Sequence, residues 1–204
     1  MTKKRVAVLI SGRGSNMTAL IEAAEATDYP AQIVLVLSNE PGAVGLGHAQ
    51  LARVATAVVD HRPFGSDREA FERALDDTLH AHRIDLICLA GFMRLLTPWF
   101  VTRWSGRMLN IHPALLPQFK GLHTHRRALE AGVQQHGATV HFVVPEMDSG
   151  PIVLQDSVPV QEGDTEETLA VRVLEVEHRI YPQALRLVAE GRVTLAAATA
   201  ATRG

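Results

Sequence analysis

The amino-acid sequence predicts an α/β fold. The expected architecture is a Rossmann-like open, mostly parallel twisted sheet with helices on both faces, whose second half adds an antiparallel strand pair and a long C-terminal helix. Three observations predict it. Up to residue 90, short apolar runs rich in β-branched residues alternate with helical segments, the pattern of parallel strands joined by crossover helices. Beyond residue 105 the alternation stops, and residues 138–144 and 152–160 read as two strands joined by a turn-rich link. A helical pattern then runs over residues 166–190.

The elements follow in order. Residues 5–10 read as a buried strand ended by glycine, and residues 15–26 as a helix. Residues 32–37 and 55–59 are further strands, separated by a helix over 43–52 that Gly45 and Gly47 weaken. Residues 67–82 form an amphipathic helix, with Phe71, Leu75 and Leu79 at intervals of four and charges between them. Residues 85–90 are the fourth strand, and residues 108–111 a short fifth. A loop leads into a helix over 126–131. Pro182 predicts a kink or break in the long last helix. Residues 196–204 are Ala/Thr-rich without a core pattern and predict a flexible tail.

The chain has 204 residues, of which 47% are apolar and 21% charged, enough for one substantial core. Lys and Arg number 20 against 22 Asp and Glu. That balance argues against nucleic-acid backbones and anionic membrane surfaces as partners. The one cysteine, Cys88, lies in an apolar run and leaves no intramolecular disulfide to form. The basic start at Lys3, Lys4 and Arg5 precedes an apolar run too short for a signal peptide. No stretch approaches the roughly 20 apolar residues of a spanning helix. Together these features predict a cytoplasmic protein.

The first chemical signal is Ser11-Gly12-Arg13-Gly14-Ser15-Asn16, which joins strand one to a helix. Glycines allow a sharp turn and close approach of a ligand, and a helix start offers free N–H groups and a positive dipole end. Ser15 as a simple helix cap is the plainer reading. The position after strand one favours phosphate binding. The dinucleotide fingerprint needs a third glycine where Met17 stands, although Glu40 lies near the place of a ribose-binding acid. No Gly-Lys-Ser/Thr follows, so this is not an ATP P-loop. A monophosphate fits better than a dinucleotide.

The second signal is Leu109-Asn110-Ile111-His112-Pro113. In an extended strand Asn110 and His112 share one face. An amide and an imidazole there suit acyl chemistry, one donating to a carbonyl oxygen and the other moving a proton or stabilising an oxyanion. On spacing alone, the pair reads as a hydrogen-bonded structural one. Met147-Asp148-Ser149-Gly150-Pro151 reads as a turn, but a carboxylate from it near His112 would favour the imidazolium. His123-Thr124-His125 suggests zinc only superficially, since no metal-ligand pattern accompanies it. Residues 91–96 follow strand four, where ligands gather in open parallel sheets. From that segment alone, Met93, Leu95 and Leu96 read as core, with a pocket for a flat heterocycle as the functional alternative.

Taken together, these segments resemble the folate-dependent phosphoribosylglycinamide formyltransferases, the glycinamide ribonucleotide transformylases of purine synthesis. The resemblance rests on residues 10–16, on Leu89-Ala90-Gly91-Phe92-Met93-Arg94, and on Leu109 through Pro117. Gly121-Leu122-His123-Thr124-His125, Val140-His141-Phe142, Asp148-Ser149-Gly150-Pro151 and Glu177-His178-Arg179-Ile180-Tyr181-Pro182 extend it. It covers about residues 5–195. It implies one formyltransferase domain over 1–195, with a phosphate-binding half to about residue 105 and a catalytic, folate-binding half over 106–195. It implies 10-formyltetrahydrofolate as formyl donor, glycinamide ribonucleotide as acceptor, and no metal. Asn110, His112 and Asp148 are then catalytic. Gly14, Ser15 and Asn16 would hold the acceptor's phosphate, and Glu177 its ribose end. Arg68, Met93, Arg94, Leu95, Leu96, Asn110, Val144 and Met147 would contact the folate. The partners are small molecules, and the chain is a monomer or homodimer.

Rival readings share parts of this pattern. Formyltetrahydrofolate deformylases resemble it but carry an added N-terminal domain, for which a first strand at Arg5 leaves no room. Methionyl-tRNA formyltransferases carry an extra C-terminal domain and a basic character not expected here. A nicotinamide oxidoreductase draws on Gly12, Gly14 and Glu40 and is weakened by Met17. A nucleotide-binding module without catalysis would not need Asn110, His112 and Asp148 to converge.

Overall fold

The apolar runs read as strands build one sheet. The computed structural model describes residues 2–202. Strands β1 (Lys4–Ile10), β2 (Ala31–Ser38), β3 (Ala55–Val58), β4 (Leu86–Leu89) and β5 (Met108–His112) are parallel. Strands β6 (Gln135–Phe142) and β7 (Ile152–Pro159) each run antiparallel to the strand before them. The order across the sheet is β3-β2-β1-β4-β5-β6-β7. The chain therefore winds outward from β1 to β3, then returns to the other side of β1. Ligand crevices form at such a reversal, outside the carboxyl ends of the strands.

Side-chain alternation in β1 sorts the core into two layers. Val6, Val8 and Ile10 face one layer with Met17 and Leu20 of α1 (Ser15–Ala24) and Val173, Ile180 and Tyr181 of α6 (Glu166–Ala189). Cys88 is buried in this layer too. Ala7 and Leu9 face the other, with Phe71, Leu75 and Leu79 of α3 (Arg68–Ala81) and Phe100 of α4 (Pro98–Arg103). The other α-helices among the described residues are α2 (Val44–Leu51), α5 (Thr124–Glu130) and α7 (Leu195–Thr202), with a short 3-10 turn at Arg62–Phe64.

Buried carboxylates on α3 fasten it to the segment that follows β4. Glu72 accepts the Thr97 N–H at 2.6 Å and also the Thr97 hydroxyl. Asp76 accepts from Trp104 Nε1 at 2.9 Å and Arg103 Nε at 2.5 Å. Burial pushes the Glu72 carboxyl above its usual range, while the Thr97 bonds pull it back. A buried acid is tolerated only with such partners.

The structure departs from the sequence pattern in three places. Of the kink or break expected at Pro182, the break is absent, and α6 runs through the proline. Ile180, Tyr181, Ala184 and Leu185 are buried on either side of it, and tertiary packing of this kind outweighs one lost backbone bond. Residues 196–202, where no element was expected, lie in α7, started by Thr194, whose hydroxyl accepts the Ala197 N–H at 3.3 Å. Alanine's helix propensity carries it. Residues 203 and 204 lie outside the described residues. Helix α4, unforeseen in the sequence, begins at Pro98, and proline at a first helical position is an available signal.

The antiparallel pair depends on Gly137. A Cβ there would lie 2.1 Å from the Asp156 carbonyl oxygen and 2.8 Å from Ser157 Cα. Gly137→Ala is expected to cost about 3 kcal/mol by overpacking, lowering Tm by roughly 6–12 °C. Gly47, inside α2 with open space around it, is the control. Gly47→Ala is expected to stabilise by about 0.5–1 kcal/mol, and thermal unfolding of both variants checks the pair.

Candidate active site

Strand β5 and strand β6 pair so that Asn110 stands opposite His141, and His112 opposite Thr139. Asn110 and His112 share a face, as the alternation predicts, while Leu109 and Ile111 enter the core. His112 is 5% exposed. Its Nε2 lies 2.9 Å from the Phe119 carbonyl oxygen. Its Nδ1 lies 3.5 Å from Asp148 Oδ2. Both ring nitrogens thus face acceptors. Asp148 adopts a φ of +48°, and its Oδ2 also accepts the Gly121 N–H at 2.9 Å.

His141 completes the cluster. Its Nδ1 donates to the Phe142 carbonyl at 2.9 Å, which leaves Nε2 to accept from Asn110 Nδ2 at 3.2 Å. Burial holds this imidazole below its ordinary pKa, partly opposed by the Phe142 bond and by Asp148. The same Nε2 lies 3.7 Å from Asp148 Oδ1. Asn110, His112 and Asp148 are therefore brought together around His141, whose Nε2 takes the amide hydrogen and so offers Asp148 no donor.

The loop after β5 is held from below. Thr139 Oγ1 donates to the Ala114 carbonyl at 2.6 Å and accepts the Leu116 N–H at 3.1 Å. Gln155 Nε2 donates to that hydroxyl at 2.7 Å and to the Leu116 carbonyl at 3.0 Å. His136, fully buried, meets the Phe119 ring edge-on at 5.8 Å and His125 at 5.3 Å. Burial, chiefly, pushes its pKa down to about 4.

On the other side of β4, Gly14 precedes α1 with a φ of +74°. Ser15 begins the helix without acting as its cap, so its hydroxyl is left for other partners. Asn16 Nδ2 donates to Glu177 Oε2 at 2.5 Å, and burial raises the Glu177 pKa. Asn16 Oδ1 is buried without a hydrogen-bond partner. Gly14, Ser15, Asn16 and Glu177 thus border one polar spot at the helix start. A groove of about 730 Å³ runs beside it, lined among others by Arg13, Ser15, His48, His178 and Arg179. Glu40 accepts from Asn39 at 3.4 Å and lies 3.5 Å from His61.

The segment after β4 does not pack as core throughout. Met93 is 69% and Leu95 64% exposed, whereas Leu96 packs on the second layer. Met147 is also exposed, and its Cε lies 3.6 Å from where a Gly121 Cβ would stand. Arg94 and Val144 are half-buried. Arg68 is exposed at the first position of α3, the helix tied to this segment through Glu72 and Thr97. Ser11 joins the two sides. Its hydroxyl accepts the Met93 N–H at 2.8 Å and donates to Asn39 Oδ1 at 2.5 Å.

Sequence reasoning did not select His141, Thr139, Phe119 or Ser11 as site residues. His141 and Thr139 needed the β5–β6 register, which alternation within one strand does not contain. Among the described residues, no group of three or more His, Cys, Asp or Glu side chains is arranged to hold a metal ion. No described helix is long and apolar enough to cross a membrane.

Known proteins share this arrangement of chain. The formyl transferase family profile matches residues 4–185. The trifunctional purine biosynthetic protein adenosine-3 of Gallus gallus is 53% identical over 191 residues, 94% of this chain and 19% of the relative. The chain thus spans about a fifth of that relative's length. The phosphoribosylglycinamide formyltransferase of Escherichia coli (strain K12) is 46% identical over 190 residues, 93% of this chain and 89% of the relative. The crystal structure of phosphoribosylglycinamide formyltransferase from Brucella melitensis matches with a TM-score of 0.89 at 53% identity, covering 94% of this chain and 98% of that one.

The buried histidines predict acid sensitivity. As pH falls below about 6.5, the unfolded chain protonates His136 while the folded one does not until about pH 4. Stability tied to His136 is therefore full above 6.5 and falls by about 1.4 kcal/mol per pH unit below it. Urea unfolding at pH 7.5, 6.5 and 5.5 should show a shallower acid slope in His136→Phe than in the parent. Equal slopes would contradict a neutral buried imidazole.

Proposed function

The chain belongs to the formyl transferase family, and we propose that it transfers the formyl group of 10-formyltetrahydrofolate to the amine of glycinamide ribonucleotide. The products are formylglycinamide ribonucleotide and tetrahydrofolate, in de novo purine synthesis. The observation that carries this reading is His112, buried at a strand end beside Asn110, with one ring nitrogen on the Phe119 carbonyl and the other facing Asp148.

The neutral acceptor amine attacks the formyl carbon. A carbon–nitrogen bond forms, and negative charge gathers on the formyl oxygen of a tetrahedral intermediate. Asn110 donates to that oxygen, and the His112 imidazolium stabilises it electrostatically. His141 aims the amide by accepting one of its hydrogens, which leaves the second for the oxyanion. Collapse breaks the bond to N10 of the folate, and the proton released by the amine passes to that nitrogen. Asp148, whose Oδ2 faces His112 Nδ1, orients the ring and orders the water through which the proton moves.

The two substrates enter from the two sides of β1 and β4. Gly14, Ser15 and Asn16 hold the acceptor's phosphate on the start of α1. Glu177, kept in place by Asn16, meets its ribose hydroxyls. Arg13 lines the neighbouring groove, where its charge attracts the anion. The folate lies against the exposed apolar Met93 and Leu95, with Arg94, Leu96, Val144 and Met147 around it and Arg68 at its anionic end. The same reading puts the enzyme in the cytoplasm, as a monomer or homodimer.

The test follows loss of 10-formyltetrahydrofolate with and without glycinamide ribonucleotide. Acceptor-dependent turnover is expected, and Asn110→Ala should lower kcat by about 10²–10³-fold, the usual loss for one oxyanion donor. His112→Ala should abolish measurable transfer. Formate release that ignores the acceptor would replace the transferase reading with a hydrolase.

A further inference from the structure

Residues 119–122 deliver both backbone partners of the His112–Asp148 pair. The Phe119 carbonyl meets His112 Nε2, and the Gly121 N–H meets Asp148 Oδ2. The segment holds an unusual backbone to do so. Phe119 has a φ of +53° and Gly121 of +80°. For a phenylalanine that region is strained and persists only where the surroundings enforce it.

Arg127, one helical turn into α5, supplies much of that enforcement. Its Nη1 donates to the Lys120 carbonyl at 2.6 Å and reaches the Leu122 carbonyl at 3.4 Å. These two carbonyls flank Gly121. The guanidinium also lies over the Phe119 ring, 5.7 Å from its centroid, within cation–π range. His136 meets that ring edge-on. Phe119, Lys120 and Leu122 are therefore gripped by one side chain. Arg126, its neighbour, turns elsewhere and pairs with Glu166 at 3.3 Å.

We propose that Arg127 is a positioning residue for the transfer reaction, holding residues 119–122 in the backbone conformation that presents the Phe119 carbonyl to His112 and the Gly121 N–H to Asp148. The proposal rests on the formyl-transfer reading. Arg127 need touch neither substrate. Its effect falls on the orientation of the imidazole and carboxylate, so it enters kcat rather than KM.

The experiment compares Arg127→Met, Arg127→Lys and Arg126→Met with the parent chain. Steady-state transfer is read together with the ¹H–¹⁵N signal of the His112 Nε2–H in the ligand-free protein. Arg127→Met should lower kcat by roughly tenfold to 10²-fold, the scale of a small misplacement of catalytic groups. Both KM values should stay within about twofold, as interactions made only in the transition state affect kcat alone. Arg127→Lys, able to donate to one carbonyl and lie over the ring, should recover part of the loss. Arg126→Met should match the parent. The Nε2–H signal should be protected from exchange in the parent and lost in Arg127→Met. An unchanged kcat with the signal intact overturns the proposal. So does a raised KM at unchanged kcat, which would make Arg127 a substrate contact. If Arg127→Met fails to fold, Arg127→Lys carries the kinetic comparison, and parent-like kcat and signal there refute the need for a two-carbonyl grip. If the parent itself shows no acceptor-dependent transfer, the functional reading fails, and the Nε2–H signal still decides whether Arg127 holds His112.

Discussion

The Asp148 carboxylate is where three separate parts of the chain meet. One oxygen faces His112 at the end of β5 and accepts the Gly121 N–H from the following loop, and the other faces His141 on β6. A side chain that is 10% exposed needs the His112 and Gly121 partners, because an unpaired buried charge is costly. The position is bought by backbone: Asp148 takes a left-handed φ, and Gly150 lets the turn press onto β6. A Cβ at Gly150 would stand 1.7 Å from the Phe142 carbonyl oxygen, the atom that fixes the His141 ring. The turn chemistry of Asp148-Ser149-Gly150-Pro151 and its site chemistry are thus one arrangement.

The sheet supplies the second constraint. Reversal of strand order beside β1 sets the glycine turn and the segment after β4 next to each other, and Ser11 ties them with one hydroxyl that both accepts and donates. Glu72 then anchors the far end of the β4 segment to α3 through Thr97. Loop residues between these two ties stand exposed, as Met93 and Leu95 do. Rigid ends with an apolar exposed middle suit a surface that receives a flat ligand.

Much of this was legible in the sequence for identifiable reasons. Parallel strands buried on both faces leave continuous apolar runs, so β1, β2 and β4 announced themselves. The Phe71, Leu75 and Leu79 spacing fixed α3, and Asp67 caps it, its carboxylate accepting the Ala70 N–H. What the sequence hid depended on distance in space. The role of His141 follows from its register with Asn110, set by pairing between strands and not by pattern within one. Continuity of α6 through Pro182 follows from packing on both sides of it. Helix α7 was hidden because an Ala/Thr-rich run lacks periodicity, although its propensity is high. Residues that resembled a known family were readable by match; those that hold them in place, such as Thr139 and Phe119, were not.

Three histidines near the site show how surroundings divide one side chain among different tasks. His136 is wholly enclosed, and burial keeps it neutral. It serves as an aromatic wall for Phe119. His141 is nearly as buried, but one nitrogen is spent on a backbone carbonyl and the other on the Asn110 amide. Its ring is therefore fixed in one tautomer and orients a donor. His112 alone has a backbone carbonyl on one nitrogen and a carboxylate oxygen, unshielded by an intervening amide, facing the other. A ring flanked by two acceptors can carry a proton on each side. His141 cannot do so without giving up the Asn110 bond, and neither buried ring nitrogen of His136 has a hydrogen-bond partner. Identity of residue type did not distinguish the three; the acceptors around each ring do.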